Sequence, residues 1–232
     1  MITVFLPTRK GSERIKNKNT KKFAGIEGGL TKIKLNQLLK CKLIDKIILS
    51  TNDPEIIDIG RKTSNIIEID ERDNYLCRSE TKTDELINYV PEIIKEGHVL
   101  WTHVTSPMFD AVEYDKAIKM YMKIIKGEIY DSLMTVNKIQ NFLWDNQGPI
   151  NKSSKLEKWP RTQTIDPIFE VNSAMFLNSI ENYKLYKNRI GTKPFLLETE
   201  KLKSYDIDWP EDFSFTEQIY KFYYEKNNNL GF

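Results

Sequence analysis

The chain has 232 residues, 40% of them hydrophobic and 29% charged, which supplies one large domain or one domain with a small appendage and excludes collagen-like, disordered and disulfide-scaffold chains. With 35 Lys and Arg against 33 Asp and Glu the net charge is +2, too near balance for a nucleic-acid coat or a polybasic membrane protein. Cys41, Cys77, His98 and His103 have neither zinc-site spacing nor the makings of a disulfide framework, so a reducing, cytoplasmic setting is expected.

Ile2 to Leu6 is a short apolar run ended by Pro7, which reads as a buried strand, the first and central one, entering a loop. It is far shorter than the apolar core of a signal peptide, and no later stretch approaches the ~20 apolar residues of a membrane span. Thr8 to Glu27 is polar and basic, with Arg9, Lys10, Arg14, Lys16, Lys18, Lys21 and Lys22 set against Glu13. Leu30 to Cys41 places Leu30, Ile33, Leu35, Leu38 and Leu39 at near-helical spacing. Lys46 to Leu49 is a second strand, and Pro54 after Asp53 opens a helix carrying Ile56, Ile57 and Ile59. Asn65 to Ile69 reads as a third strand, Asp84 to Glu96 as a helix, His98 to Val104 as a fourth strand, Glu113 to Lys126 as a helix and Ser132 to Val136 as a further strand. This alternation predicts an α/β fold, a three-layer, mostly parallel, Rossmann-like sheet.

Beyond Lys138 the rhythm changes. Asn141 to Ile150 and Ile168 to Leu177 look like strands around the turn Asn146-Gln147-Gly148-Pro149, so residues 138–178 are expected to form a small antiparallel excursion. Phe195 to Glu198 is another short strand, and Pro210 to Glu225 a closing helix. Residues 1–232 are expected to form a single domain.

The loop after the first strand carries the strongest chemical signal. Ligands of open α/β sheets bind outside the carboxyl ends of the strands, where this loop emerges. Gly11 lets the backbone approach a ligand, its amide and that of Ser12 can line a phosphate, and Arg9, Arg14 and Lys18 supply positive charge. A triphosphate fits that description, while the competing reading is a solvated basic loop. Neither the P-loop pattern nor Gly-x-Gly-x-x-Gly is present, which weakens ATPase and dinucleotide-binding readings. Near the other end Asp206 and Asp208 flank Ile207. On an extended segment both carboxylates share one face, which suits a hard divalent cation, although an Asp-x-Asp without context is more often a solvated turn.

Taken in order, Arg9, Gly11, Ser12, Lys18 and Asn19 resemble the Arg-x-Gly-Ser-x(5)-Lys-Asn signature of the acylneuraminate cytidylyltransferases, the CMP-sialic acid synthetase family. The resemblance continues through Ser50-Thr51-Asn52-Asp53, Arg72 with Leu76, Thr105-Ser106-Pro107, Asn172-Ser173-Ala174 and Asp206-Ile207-Asp208. It implies a nucleotidyltransferase domain in which an acceptor hydroxyl of a 2-keto sugar acid attacks the α-phosphorus of CTP and pyrophosphate leaves. It further implies that Arg9 and Lys18 hold the triphosphate, that Asp206 and Asp208 bind Mg²⁺, and that Leu6, Gly11, Ser12, Asn19, Arg72 and Ser79 surround the nucleotide, where Arg14, by its place in the loop, is expected to assist. Arg72 is expected to contact the cytosine, the alternative being a surface salt bridge to Glu71 or Asp73. A homodimer built through the 138–178 excursion is implied as well, with Phe142, Leu143 and Trp144 suited to its interface.

The acceptor side departs from the family. His103-Val104-Thr105-Ser106-Pro107-Met108-Phe109 stands where Gln-Pro-Thr-Ser-Pro-Leu-Arg is usual, and Asn172-Ser173-Ala174 where Asn-Gly-Ala is usual. His103, Thr105, Ser106, Phe109, Arg161, Gln163 and Asn172 are therefore expected to line the acceptor, with Arg161 a carboxylate partner. The expected partners are CTP and an acidic sugar, with no nucleic acid and no membrane. Rival functions are a CMP-Kdo synthetase-like or other nucleotidyltransferase, a metal-dependent glycosyltransferase, and a non-catalytic binding module.

Overall fold

The apolar residues of β1 (Ile2–Pro7) divide between two cores: Val4 and Leu6 pack on one side and Phe5 on the other, all without exposed surface. The same alternation runs through β2 (Lys46–Thr51), where Ile47 and Leu49 face the first core and Ile48 the second. Uninterrupted apolar runs of this kind are what strands covered on both faces require. The computed structural model describes residues 1–151 and 159–228, which contain a seven-stranded sheet with helices on each face.

Between the first strands lie α1 (Gly29–Leu39) and α2 (Pro54–Thr63), followed by β3 (Ile67–Glu71), α3 (Thr83–Ile93), β4 (His98–Trp101), α4 (Ala111–Ile124) and β5 (Ser132–Ile139). A two-residue hairpin follows, β6 (Trp144–Asp145) and β7 (Gly148–Pro149), then β8 (Ile168–Ser179), α5 (Ile180–Tyr186), β9 (Pro194–Glu198) and α6 (Pro210–Asn228). The strand order is β3-β2-β1-β4-β8-β5-β9, and every pairing in it is parallel except the two made by β8. Residues of α1, α2, α4 and α6 join the first core, and Ile87, Val90, Ile180 and Tyr183 of α3 and α5 the second, which gives three layers.

Helix starts follow local chemistry. The side chain of Asp53 accepts from the Glu55 amide at 3.0 Å ahead of Pro54, and that of Asp110 accepts from Val112 N at 3.0 Å. Gly29 begins α1 in a left-handed conformation, φ +51°, and a Cβ there would meet the Lys21 carbonyl oxygen at 2.1 Å. Only glycine lets the end of the basic loop lie this close to α1.

Three sequence expectations are corrected. The middle of the sheet is β4, with β1 third from one edge, because β8 and the strands beyond it extend the sheet on the far side. The fourth strand stops at Trp101 rather than Val104, and residues 102–109 form the loop beyond it. The second expected strand of the excursion, Ile168 to Leu177, is β8, an integral strand between β4 and β5. Among the described residues, the β6–β7 hairpin is the only strand pair outside the main sheet, and residues 152–158 of the 138–178 segment lie outside the described residues.

Candidate active site

A cavity of about 510 Å³ opens at the carboxyl ends of β1, β3 and β4, lined by Thr8, Arg9, Ser12, Arg14, Lys18 and Asn19 from the first loop, Arg72 after β3, and His103 to Thr105 after β4. Asp206, Asp208, Ser173 and Arg189 complete its walls. The first loop is held in shape at several points. Ile15 and Phe23 are buried, Lys21 N donates to Asn17 O at 2.8 Å, and the Thr31 hydroxyl and amide both reach Asn19 O. Gly11 has φ +84° with open space around its Cα, so its requirement is conformational, and its carbonyl accepts from Arg9 at 3.2 Å.

Asp206-Ile207-Asp208 is an extended stretch strapped across this loop. Ile207 N donates to Thr105 O at 2.9 Å, Ile207 O accepts from Lys18 Nζ at 2.7 Å, and the Ile207 side chain is fully buried. Planting Ile207 in the core leaves its two neighbours on the cavity side. Asp208 pairs with Lys18 at 3.5 Å and Arg14 at 3.3 Å, while the Arg14 guanidinium lies 4.5 Å from the centre of the Trp209 ring. Burial holds the Asp206 carboxyl above its ordinary range; the Asp208 carboxylate adds to this, and a hydrogen bond with Thr105 opposes it. The two acids also border a second cavity of about 470 Å³, lined further by Asn137, Glu170, Asn172, Lys201 and Tyr205. Asp206, Asp208 and Ser173 thus stand where the two cavities meet.

Arg72 is buried and donates from Nη2 to Thr8 O at 2.6 Å, from Nη1 to Ser50 O and Oγ at 3.2 and 3.0 Å, and from Nε to Cys77 Sγ at 3.2 Å. It touches the cavity while bracing the ends of β1 and β2. It is not the surface salt-bridge partner of Glu71 or Asp73. His103 accepts from Trp101 Nε1 at 3.1 Å, which leaves its proton on the other ring nitrogen. Burial, with Arg189 and Lys18 nearby, pushes its pKa down to about 3, so it is a neutral hydrogen-bonding group.

Several expected acceptor and nucleotide residues lie elsewhere. Phe109 is in the core, ring to ring with Tyr114 at 4.8 Å, and Ser106 is fully buried. Leu6 faces the first core, Ser79 is exposed and bonds Glu80, and Arg161 and Gln163 are exposed outside both cavities. Asn172 borders the second cavity, but its amide donates to Asn137 and Thr199 at 2.9 and 2.7 Å. Ser173, where the family has glycine, takes φ +57°.

Sequence reasoning missed two cations. Lys34 has no exposed surface, and its Nζ donates to Ser106 O, Phe109 O and Tyr114 Oη, each at 2.9 Å, so it fastens the 105–109 loop from behind. Arg189 follows α5 in a polar run that carries no local signal, and only the fold brings it to the cavity.

Residues 3–230 match the cytidylyltransferase family. The chain belongs to that family. A CMP-N,N'-diacetyllegionaminic acid synthase of Legionella pneumophila is 25% identical over 233 residues, covering 94% of this chain and 95% of the relative. The fold of this cytidylyltransferase is shared with a CMP:2-keto-3-deoxy-manno-octonic acid synthetase complexed with CTP (TM-score 0.65, 9% identity, 94% of this chain and 98% of the other). It is also shared with a 4-diphosphocytidyl-2C-methyl-D-erythritol synthase of Anaerococcus prevotii (TM-score 0.64, 15% identity, 95% and 96% covered). The cytidylyltransferase is a CTP-dependent nucleotidyltransferase, as the resemblance in the basic loop and the acid pair implied. Among the described residues, no helix is long and apolar enough to cross a membrane.

Proposed function

We propose that this cytidylyltransferase activates a sialic-acid-like 2-keto sugar acid with CTP, giving a CMP-sugar and pyrophosphate. The observation that carries the reading is the convergence of the basic loop and the acid pair in one cavity, joined by Lys18 and Asp208. The name of the legionaminic acid synthase relative supports the acceptor class. The acceptor hydroxyl oxygen forms a bond to the α-phosphorus as the bond to the bridging oxygen breaks. Pyrophosphate takes that electron pair, and the hydroxyl proton passes to solvent. Arg9 and Lys18 hold the triphosphate and counter the charge that grows on the leaving group; Arg14, seated on Trp209, assists. Walls formed by Trp101, Val104 and Leu86 limit water at the reacting centre.

Asp206 and Asp208 fit Mg²⁺. The two hard carboxylates line one cavity and lie near enough that the Asp208 charge raises the Asp206 pKa. Mg²⁺ suits such a pair, since it takes one or two protein carboxylates and completes its shell with water and substrate phosphates. When bound it would neutralise phosphate charge and acidify a hydroxyl. A homodimer in the cytoplasm completes the reading. Trp144 and Trp159, 60% and 71% exposed, lie in and after the hairpin, and the Phe142 and Trp159 rings meet at 5.2 Å, an apolar patch suited to a second copy.

Pyrophosphate release from CTP is the test, with Mg²⁺ and a panel of N-acetylneuraminate, N,N'-diacetyllegionaminate and Kdo against neutral sugars and polyol phosphates. Release with CTP and an acidic sugar is expected. Release only with a polyol phosphate, or equal use of ATP, overturns the reading.

A further inference from the structure

Of the arginines and lysines that line the main cavity, Arg9, Arg14 and Lys18 have a carboxylate within ion-pair distance, and Arg72 is held by backbone and side-chain acceptors. Arg189 differs. Among the described residues its guanidinium has neither a carboxylate nor a hydrogen-bond acceptor, and it lies on two aromatic rings, 3.8 Å from the centre of Phe176 and 5.0 Å from that of Trp101. A half-buried, ring-seated arginine has lost much of its hydration and keeps its donor fork unspent, which is the state that favours an incoming anion. Neutral His103 lines the same cavity and accepts from the indole of Trp101, the ring on which Arg189 lies, which sets its tautomer.

We propose that Arg189, with His103 in the same cavity, is the subsite for the carboxylate of the acceptor. This rests on the reading that the acceptor is a 2-keto sugar acid. Such an acid carries its carboxylate on the carbon that bears the attacking hydroxyl, so the reacting oxygen cannot approach the triphosphate without bringing a second anion with it. The triphosphate already has Arg9, Arg14 and Lys18 in the first loop. A separate cation on the β4 and β8 side of the cavity neutralises the carboxylate without competing for the phosphates. Arg161 is exposed and lies outside both cavities of the single chain.

The experiment compares an acidic sugar with its C1 methyl ester, using N-acetylneuraminate and N,N'-diacetyllegionaminate as probes. Binding is measured by calorimetry with an uncleavable CTP analogue and Mg²⁺ present, and turnover by pyrophosphate release. Arg189→Met keeps an apolar stem on the two rings, and Arg189→Lys keeps the charge without the fork; melting temperatures report that each is folded. The wild type should bind acid over ester by ~100-fold, Arg189→Met should bind the two alike, and Arg189→Lys should fall between, with the KM for CTP unchanged within about 3-fold. An acid-over-ester preference that survives Arg189→Met overturns the assignment, as does no binding of acid by the wild type, or a larger effect on CTP than on the acceptor. Pyrophosphate release by the wild type with an acidic sugar, alongside a surviving preference in Arg189→Met, leaves the proposed function standing and removes this subsite alone.

Discussion

The ammonium of Lys18 donates to the carbonyl of Ile207 at 2.7 Å and stands 3.5 Å from an Asp208 carboxylate oxygen, although 189 positions separate Lys18 from Ile207. One side chain therefore ties the basic loop to the acid pair. Lys18→Met should lower kcat/KM by about 10²–10³-fold, the usual loss when a preorganised charge is removed from a phosphoryl-transfer site. The lost hydrogen bond costs about 1 kcal/mol, so the melting temperature should fall by only ~2–4 °C. Steady-state kinetics at saturating CTP and Mg²⁺ check this, and near-normal turnover would falsify the triphosphate assignment.

Arg72 holds Thr8 O and Ser50 O with a planar fork that lysine cannot reproduce. Arg72→Lys should cost about 3 kcal/mol, or ~6–12 °C in melting temperature, because buried carbonyls lose their donors. Calorimetry separates this from a base-reading role, which would raise the KM for CTP and leave stability alone.

Asp206 binds its proton more tightly in the folded chain than in the unfolded one, since burial and Asp208 both disfavour the carboxylate. The native state thus holds more protons than the unfolded state above the ordinary carboxylate pKa, and stability falls as pH rises through that window. In chelator, the melting temperature of Asp206→Asn should gain on that of the wild type as pH rises above the ordinary carboxylate pKa of about 4, and with Mg²⁺ supplied its turnover should be at least ~100-fold lower than the wild type's. A deficit of constant size at every pH would defeat this account.

Lys34 shows the mirror case. Burial pushes its pKa from 10.5 down to about 7, so between those values the native state binds fewer protons than the unfolded state and stability rises with pH. Below about pH 7 both states are protonated and the slope vanishes. Lys34→Met removes this slope and strands the three acceptors around Nζ, so its destabilisation should grow from pH 7 towards pH 9.5, on the order of 3 kcal/mol or more throughout. Urea unfolding at several pH values measures it; a pH-independent difference argues against the assignment.

Much of this protein was legible without coordinates wherever neighbours in sequence are neighbours in space. Uninterrupted apolar runs predicted β1 and β2, Asp53-Pro54 the start of α2, and the alternation of elements the layered sheet, because hydrophobic period and capping act over a few residues. The basic loop and Asp206-Ile207-Asp208 were visible for the same reason, as short patterns whose chemistry resides in adjacent side chains. What tertiary structure alone decided is which way a residue faces once distant segments pack. Phe109 replaces an arginine in the family pattern and looked like a change at the acceptor, yet it fills the core against Tyr114. Arg72 offered a surface salt bridge as one of its two readings, yet it is buried and braces two strand ends. Ile168 to Leu177 looked like part of an excursion and pairs between β4 and β5, since strand partners are chosen by sheet-wide burial and not by the strand's own sequence. Lys34 and Arg189 had no local signal at all. The first was defined by three acceptors and the second by two aromatic rings, every one supplied by parts of the chain remote from it in sequence.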